Sequence, residues 1–107
     1  MIKLEKDIEQ KLRKMVEKHG GWCLKWVCPG WTGVPDRIVL LPGGRIIFVE
    51  TKRPKGGKVG RMQLWWLDKL MSMGFLAGFC YDERDIDLWE RDIEVLLGIK
   101  NKEERNA

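Results

Sequence analysis

The 107-residue sequence has few of the features that mark secreted, disulfide-rich or membrane-spanning proteins. Its three cysteines are odd in number and form no CxxC pair, which argues against a disulfide framework and indicates small buried side chains in a reducing compartment. No apolar run approaches the roughly 20 residues of a bilayer span, and the N-terminus lacks a signal-peptide pattern. The sequence therefore predicts a cytoplasmic protein with no membrane partner.

The composition indicates a folded chain rather than a disordered one. Hydrophobic residues make up 44% of the sequence and charged residues 34%, which is typical of globular proteins. A chain of this length can build one core without disulfide or metal staples, and no internal repeat divides it. We expect a single domain over residues 1–99 and a charged, frayed tail over residues 100–107.

The charges are distributed unevenly along the chain. Residues 51–61 contain five basic side chains and no acid, whereas residues 82–94 contain seven acids. A basic segment of this kind suits a polyanionic partner such as nucleic acid, although charge alone favours an ordinary solvated surface. The five basic residues are Lys52, Arg53, Lys55, Lys58 and Arg61.

Hydrophobic periodicity predicts an α/β fold in the order helix, three strands, helix, strand, helix. The second and third strands are apolar on both faces, which is typical of a central hairpin covered by helices on both sides. Glycines or prolines separate most of these elements. The predicted helices are 2–18, 61–73 and one that begins at Asp82, and the predicted strands are 22–27, 36–41, 45–52 and 75–81.

Two carboxylates stand at the ends of the central hairpin that lie away from its turn. A three-residue turn over 42–44 would pair Asp36 with Glu50, whereas a two-residue turn would put them on opposite faces. Because neighbouring buried carboxylates repel each other unless a cation lies between them, and oxygen ligands suit Mg²⁺ or Mn²⁺, this pair predicts a metal site. The backbone carbonyl of Thr51 is a third candidate ligand.

Other polar residues lie near this predicted site. Lys52 would orient or deprotonate a water molecule, or act as a fixed positive charge on the transition state. Glu5 and Glu9 both flank the apolar stripe of the first helix, and periodicity does not separate them. Gln63 faces inward on the second helix, where the hairpin edge offers it hydrogen-bond partners. Trp65 lies on the outer stripe, where it would stack on a base or contact a second subunit.

Two stretches, GVPDRIVLLPGGRIIFVETK and GRMQLWWLDKLMSMGF, resemble the core motifs of the PD-(D/E)xK nuclease superfamily, and most closely the stand-alone VRR-Nuc domains of bacteriophages. The resemblance covers residues 5–81. It implies an αβββαβ core with a mixed sheet flanked by helices, to which this chain adds a C-terminal helix. It also implies divalent-metal-dependent phosphodiester cleavage, commonly by a homodimer, here in the cytoplasm of a host cell if the chain is phage-encoded.

The resemblance also implies roles for individual residues. Asp36 and Glu50 correspond to metal ligands, Lys52 to the catalytic lysine and Gln63 to the motif glutamine of the helix. The stretch IEQKLRKMVEKHG resembles the opening helix of archaeal-type Holliday junction resolvases, which makes Glu9 the metal-binding acid of the first helix and Glu5 the reserve. We expect contacts to DNA from Arg53, Lys55, Lys58, Arg61, Lys25 and Trp65.

These features predict a Mg²⁺-dependent, structure-selective DNA endonuclease, in which Mn²⁺ would replace Mg²⁺. The favoured form is a homodimeric Holliday junction resolvase, because two active sites can cut two strands symmetrically. Within the same class, the alternative is a flap or replication-fork nuclease, or a nicking enzyme. From a different class, the alternative is a non-catalytic nucleic-acid-binding module that retains the fold.

Overall fold

A computed structural model describes residues 4–54 and 56–99, which form one four-stranded sheet and three helices. Their order confirms the predicted αβββαβ core followed by a C-terminal helix. The elements are α1 (Glu5–Lys18), β1 (Trp22–Lys25), β2 (Arg37–Leu41), β3 (Arg45–Thr51), α2 (Arg61–Ser72), β4 (Leu76–Cys80) and α3 (Glu83–Leu96).

The sheet is mixed, as predicted, with its strands in the spatial order β1-β2-β3-β4. The first three strands are antiparallel neighbours, and β4 runs parallel to β3. A parallel pair requires a crossover connection, which α2 supplies here. The ends of β3 and β4 therefore meet at one edge of the sheet, where Lys52 N–H donates to the Cys80 carbonyl over 3.0 Å.

The helices cover both faces of the sheet. Side chains of α1 and α3 pack against Val39, Ile47 and Val49 in the main buried cluster. On the opposite face, the Phe48 ring contacts that of Phe75 with ring centroids 5.2 Å apart, and α2 buries Leu67 over this region. The two-sided cover explains why β3 is apolar at four consecutive positions, 46–49. Among the described residues, no helix is long and apolar enough to span a bilayer.

The central hairpin has the register that the site requires. Leu41 pairs with Arg45 and Arg37 with Val49, so the turn contains three residues and Asp36 comes opposite Glu50. Both Gly43 and Gly44 have positive φ values, of 85° and 77°, a conformation that glycine adopts without the steric cost of a side chain. The prediction of a three-residue turn is therefore confirmed.

Small differences lie at the ends of elements. The first strand ends at Lys25 rather than at residue 27, although Trp26 N–H still donates to the Asp36 carbonyl over 2.8 Å. Beyond that bond the chain leaves the sheet for the glycine-rich loop that follows. The start of the predicted first helix, at residues 2 and 3, and the tail over residues 100–107 lie outside the described residues.

Candidate active site

The candidate site lies at the end of the β2–β3 hairpin that is opposite its turn. Glu50 is 5% exposed at this point, and its Oε1 accepts a hydrogen bond of 3.1 Å from the Asp36 N–H. The Asp36 carboxylate in turn accepts the Thr51 N–H at Oδ1 over 2.8 Å. Each of the two carboxylates thus accepts a backbone N–H from the other side of the hairpin, Glu50 from Asp36 and Asp36 from Thr51.

The Asp36 carboxylate leans away from the face on which Glu50 lies. Its Oδ2 accepts a hydrogen bond from the Thr51 hydroxyl, and that side chain points to the α1 side of the sheet. The expectation that Asp36 and Glu50 present their carboxylates on one face is therefore only partly met. Asp36 precedes the first residue of β2, so strand alternation does not fix the direction of its side chain. The N–H and hydroxyl of Thr51 both donate to its carboxylate and hold it on the α1 side of the sheet.

Two glutamates of α1 approach Asp36 from this side. Carboxylate oxygens of Glu5, Glu9 and Asp36 all lie within 4.8 Å of one another. Glu9 also accepts hydrogen bonds from Arg37 Nη2, over 2.8 Å, and from the Thr51 hydroxyl, over 3.3 Å. Both Glu5 and Glu9 are therefore close enough to Asp36 to be candidate metal ligands.

On the opposite side, α2 and the residue after β3 hold the Glu50 carboxylate. Gln63 Nε2 donates to Glu50 Oε2 over 2.7 Å, and Gln63 Oε1 accepts the Gly60 N–H over 2.8 Å. Lys52 Nζ lies 3.3 Å from the same Glu50 oxygen, and its side chain is 12% exposed. The inward position predicted for Gln63 is therefore observed, with the hairpin edge as its partner.

The three central carboxylates differ in how their charge is stabilised. Burial raises the pKa of Asp36 to about 7, with a further increase from the charge of Glu50. Burial also raises the pKa of Glu50, against the opposing charge of Lys52. Burial acts on Glu9 in the same direction, but its contacts with Asp36 and Arg37 outweigh it and lower the pKa of Glu9. Negative charge is thus least stable on Asp36 and Glu50.

The predicted DNA-binding residues that the structure describes are exposed on the protein surface. Arg53, Lys58 and Arg61 are exposed between the end of β3 and the start of α2, and the Arg53 guanidinium donates to the Gly56 carbonyl over 3.2 Å. Trp65 is 47% exposed, as its outer stripe predicts. Lys25 is exposed at the end of β1. Lys55 lies outside the described residues.

Arg37 is the residue of this site that the sequence reasoning missed. It pairs with Glu9 and its side chain is 15% exposed, so it is nearly buried within the site. Strand alternation contained the necessary signal, because a residue that follows Asp36 and pairs with Val49 must face α1, where Glu9 lies. Cys23 and Cys80 are buried, and burial raises their pKa to about 11 and about 12, so both thiols stay protonated.

Comparisons with known proteins agree with this geometry. No protein-family model matches the sequence. A protein of Acyrthosiphon pisum secondary endosymbiont phage 1, named "Putative nuclease p44", is 49% identical over 70 residues, which are 65% of this chain and 74% of the relative. A solved structure described as a VRR_NUC domain superposes with a TM-score of 0.73 and 28% identity, covering 78% of this chain and 89% of that one.

This chain is a nuclease with an α/β fold. The mixed sheet, the carboxylates at the end of its central hairpin and the two similar proteins all agree on this class. The chain belongs to the VRR-Nuc family.

Proposed function

We propose that the protein is a divalent-metal-dependent endonuclease of branched DNA, and that it acts as a homodimeric Holliday junction resolvase in the cytoplasm of the host cell. The observation that carries this proposal is the convergence of Glu5, Glu9 and Asp36 within 4.8 Å, beside Glu50 and Lys52. Several carboxylates this close together, of which Glu50 is buried and Glu9 and Asp36 are half-buried, are unfavourable without a cation.

The donor set fits Mg²⁺, with Mn²⁺ as a substitute. Carboxylate and carbonyl oxygens are the ligands that these ions prefer, and the raised pKa of Asp36 indicates that its charge is poorly balanced by the protein alone. We assign Asp36, Glu50, Glu9 and the Thr51 carbonyl as the residues that would hold the ion, with Glu5 in reserve. When bound, such an ion stabilises charge on the attacked phosphate and makes a water molecule more acidic.

Contacts with Glu50 fix the positions of the Lys52 and Gln63 side chains, and the proposed roles of both depend on this. The Lys52 ammonium is held against Glu50 and mostly buried, so it presents a directed positive charge to a phosphate at this edge or orients a water molecule. Gln63 uses both ends of its amide, one on Glu50 and one on the start of α2, which fixes the Glu50 carboxylate. Gln63 is therefore a positioning residue.

The surface beside the site supports binding of a nucleic-acid backbone. We propose that Arg53, Lys58 and Arg61, together with Lys55, contact phosphates on the α2 side of the carboxylates. Exposed Trp65 on the same helix offers a ring on which an unpaired base can stack. Lys25 would contact DNA on the opposite side.

An apolar strip on the sheet supports the homodimer. On the face that carries α2, the helix covers β4 and most of β3, while β1, β2 and the start of β3 expose a set of apolar side chains. We propose that a second copy covers this strip. Trp22, Leu40 and Ile46 are cross-strand neighbours on this face, and contiguous exposed apolar side chains of this kind mark protein interaction sites. The strip contains Trp22, Leu24, Leu40 and Ile46.

Cleavage of labelled four-way junctions, flaps, forks and duplex DNA, with Mg²⁺ or with EDTA, tests the function. The proposal expects paired, symmetric nicks on the junction that require Mg²⁺. Cleavage of flaps or forks alone would refute junction resolution and favour the first alternative. Metal-independent binding without any cleavage would refute the enzyme and favour a non-catalytic binding module.

A further inference from the structure

A polar groove lies on the α1 side of the candidate site. Its volume is about 480 Å³, and it runs between the first half of α1 and the start of β2. One end of the groove reaches Glu9, so it opens directly beside the carboxylates. The lining residues are Lys6, Asp7, Glu9, Gln10, Arg13 and Arg37.

The groove is lined by three basic and two acidic residues, and both acids already accept hydrogen bonds. Asp7 Oδ2 accepts the Leu4 N–H over 3.2 Å at the start of α1, and Glu9 is paired with Arg37. Arg13 meets Glu17 only at 4.0 Å, a weak surface pair. The groove therefore presents net positive character and hydrogen-bond donors to any ligand that enters it.

Arg37 lies at the base of the groove with a side chain that is 15% exposed. Its Nη2 is bonded to Glu9 and its Nε is buried, so neither of these nitrogens is available to a ligand, and Nη1 is the donor that remains. Lys25 is the direct partner of Arg37 in the β1–β2 pairing, so it lies on the same face of the sheet. The basic surface thus extends from α1 across β2 to the sheet edge.

The carboxylates consequently lie between two basic surfaces. One is the groove with Lys25, and the other is the segment that carries Arg53, Lys58 and Arg61 on the α2 side. We infer that the groove binds phosphates of the DNA strand on one side of the cleaved bond, through Lys6, Arg13 and Arg37. This inference rests on the proposed nuclease function, because that function places a DNA strand across the carboxylates.

Binding of a labelled four-way junction in EDTA tests the groove without any cleavage. The variant Lys6→Gln/Arg13→Gln removes two exposed charges from it. Loss of two phosphate contacts lowers the magnitude of the slope of log affinity against log salt by about 1.8, so the affinity of the variant falls about tenfold less than that of the wild type between 50 and 200 mM salt. The charge-matched control is Lys14→Gln/Arg91→Gln, which alters exposed residues outside the groove.

We expect the groove variant to weaken binding and reduce the salt slope far more than the control does. Equal effects of the two variants would overturn the inference, since the groove would then contribute only general charge. Failure of the proposed function has a different signature. In that case the wild type shows no Mg²⁺-dependent cleavage, while the groove variant still loses binding relative to the control.

Discussion

The carboxylates of the site differ in their ion-pair and hydrogen-bond partners. Glu9 has an ion pair with Arg37, and Glu50 has one with Lys52. Asp36 has no basic partner among the residues that the structure describes, and its two hydrogen bonds come from the neutral Thr51. A cation would therefore stabilise Asp36 more than either glutamate, which makes it the residue on which metal binding should depend most.

Gln63→Ala should lower both stability and cleavage. The substitution removes one hydrogen bond from the buried Glu50 carboxylate and the side-chain acceptor of the Gly60 N–H, at a cost of about 1–3 kcal/mol in the free energy of unfolding. Urea denaturation measures this cost. Gln10→Ala is the matched control, because Gln10 is an exposed glutamine on α1, and its effect should stay within about 0.5 kcal/mol. Equal effects would show that the Gln63 bonds contribute nothing specific.

The sequence predicted the positions of individual residues where a period fixes them. The predicted hairpin register placed Asp36 opposite Glu50, and the predicted helical stripe placed Gln63 on the inward face of α2. No contact was predicted for the Thr51 hydroxyl. Strand alternation shows to which face a side chain points, but it does not show that the Asp36 carboxylate would lie on the same face and accept a hydrogen bond from Thr51. Arg37 was overlooked for a related reason, since its partner Glu9 comes from an element distant in sequence.

At the scale of elements, the glycine-rich loop between β1 and β2 packs against the start of α2. Trp66 Nε1 donates to the Thr32 carbonyl over 2.9 Å, and a Cβ atom at Gly33 would lie only 2.5 Å from Met62 Cβ. Gly33 also has a positive φ of 84°. The loop therefore determines where α2 begins, and with it the position of Gln63.

Gly33→Ala should displace the start of α2 and reduce cleavage. Gly30→Ala is a close control, because Gly30 has a φ of 86° and no atom lies within 4 Å of the position that an added methyl group would occupy, so it carries only the backbone penalty. The clash with Met62 should make Gly33→Ala less stable than the control by about 1–3 kcal/mol. Thermal or urea unfolding measures the difference, and similar values for both variants would contradict a close loop–helix contact.

A second contact between elements joins the end of α1 to α3. Glu90 lies 2.5 Å from Lys18 Nζ and 2.7 Å from His19 Nε2. The hydrogen bond and charge of Lys18 lower the pKa of Glu90, with a further contribution from His19. Because the folded-state pKa is depressed, this stabilisation is complete above the ordinary glutamate value of 4.5 and is lost as the pH falls through the lower folded value.

Glu90→Gln should therefore destabilise the protein near neutral pH by about 0.5–1 kcal/mol. The difference from wild type should shrink as the pH falls below 4.5, where the wild-type carboxylate takes up a proton. Urea denaturation at several pH values measures it. Glu94→Gln serves as the control, because Glu94 forms no salt bridge within the part of the chain that the structure describes. A difference that is independent of pH would exclude the ionic contribution.

The order of elements was predictable because each has a clear period and a glycine or proline boundary. The mixed sheet followed from the resemblance rather than from periodicity, which cannot show that β4 joins β3 in parallel. The end of β1 was placed two residues too late, since Trp26 and Val27 continue an apolar run after the ladder has ended. Tertiary geometry, which decides such ends, is not encoded in the local pattern.

For the whole molecule, the proposed dimer depends on the apolar strip of β1, β2 and the start of β3. Trp22 is 67% exposed, so Trp22→Glu should not disturb the fold but should convert the dimer to a monomer. Light scattering coupled to size-exclusion chromatography measures the mass. Val95→Glu is the control, because Val95 is 77% exposed on α3, away from the strip. A wild-type monomer, or a dimer that survives Trp22→Glu, would refute this interface.

The account depends above all on Asp36 as a metal-binding carboxylate of a nuclease, and Asp36→Asn tests it most directly. The variant keeps the size of the side chain and removes a charge that burial already disfavours, so the fold should persist. Exposed Asp68→Asn on α2 is the control. Junction cleavage in Mg²⁺ should fall by about a hundredfold to a thousandfold in Asp36→Asn, by analogy with the loss of one strong electrostatic contact to a transition state. Junction binding in EDTA should persist, and the control should cut normally. Cleavage by Asp36→Asn at the wild-type rate would contradict the account.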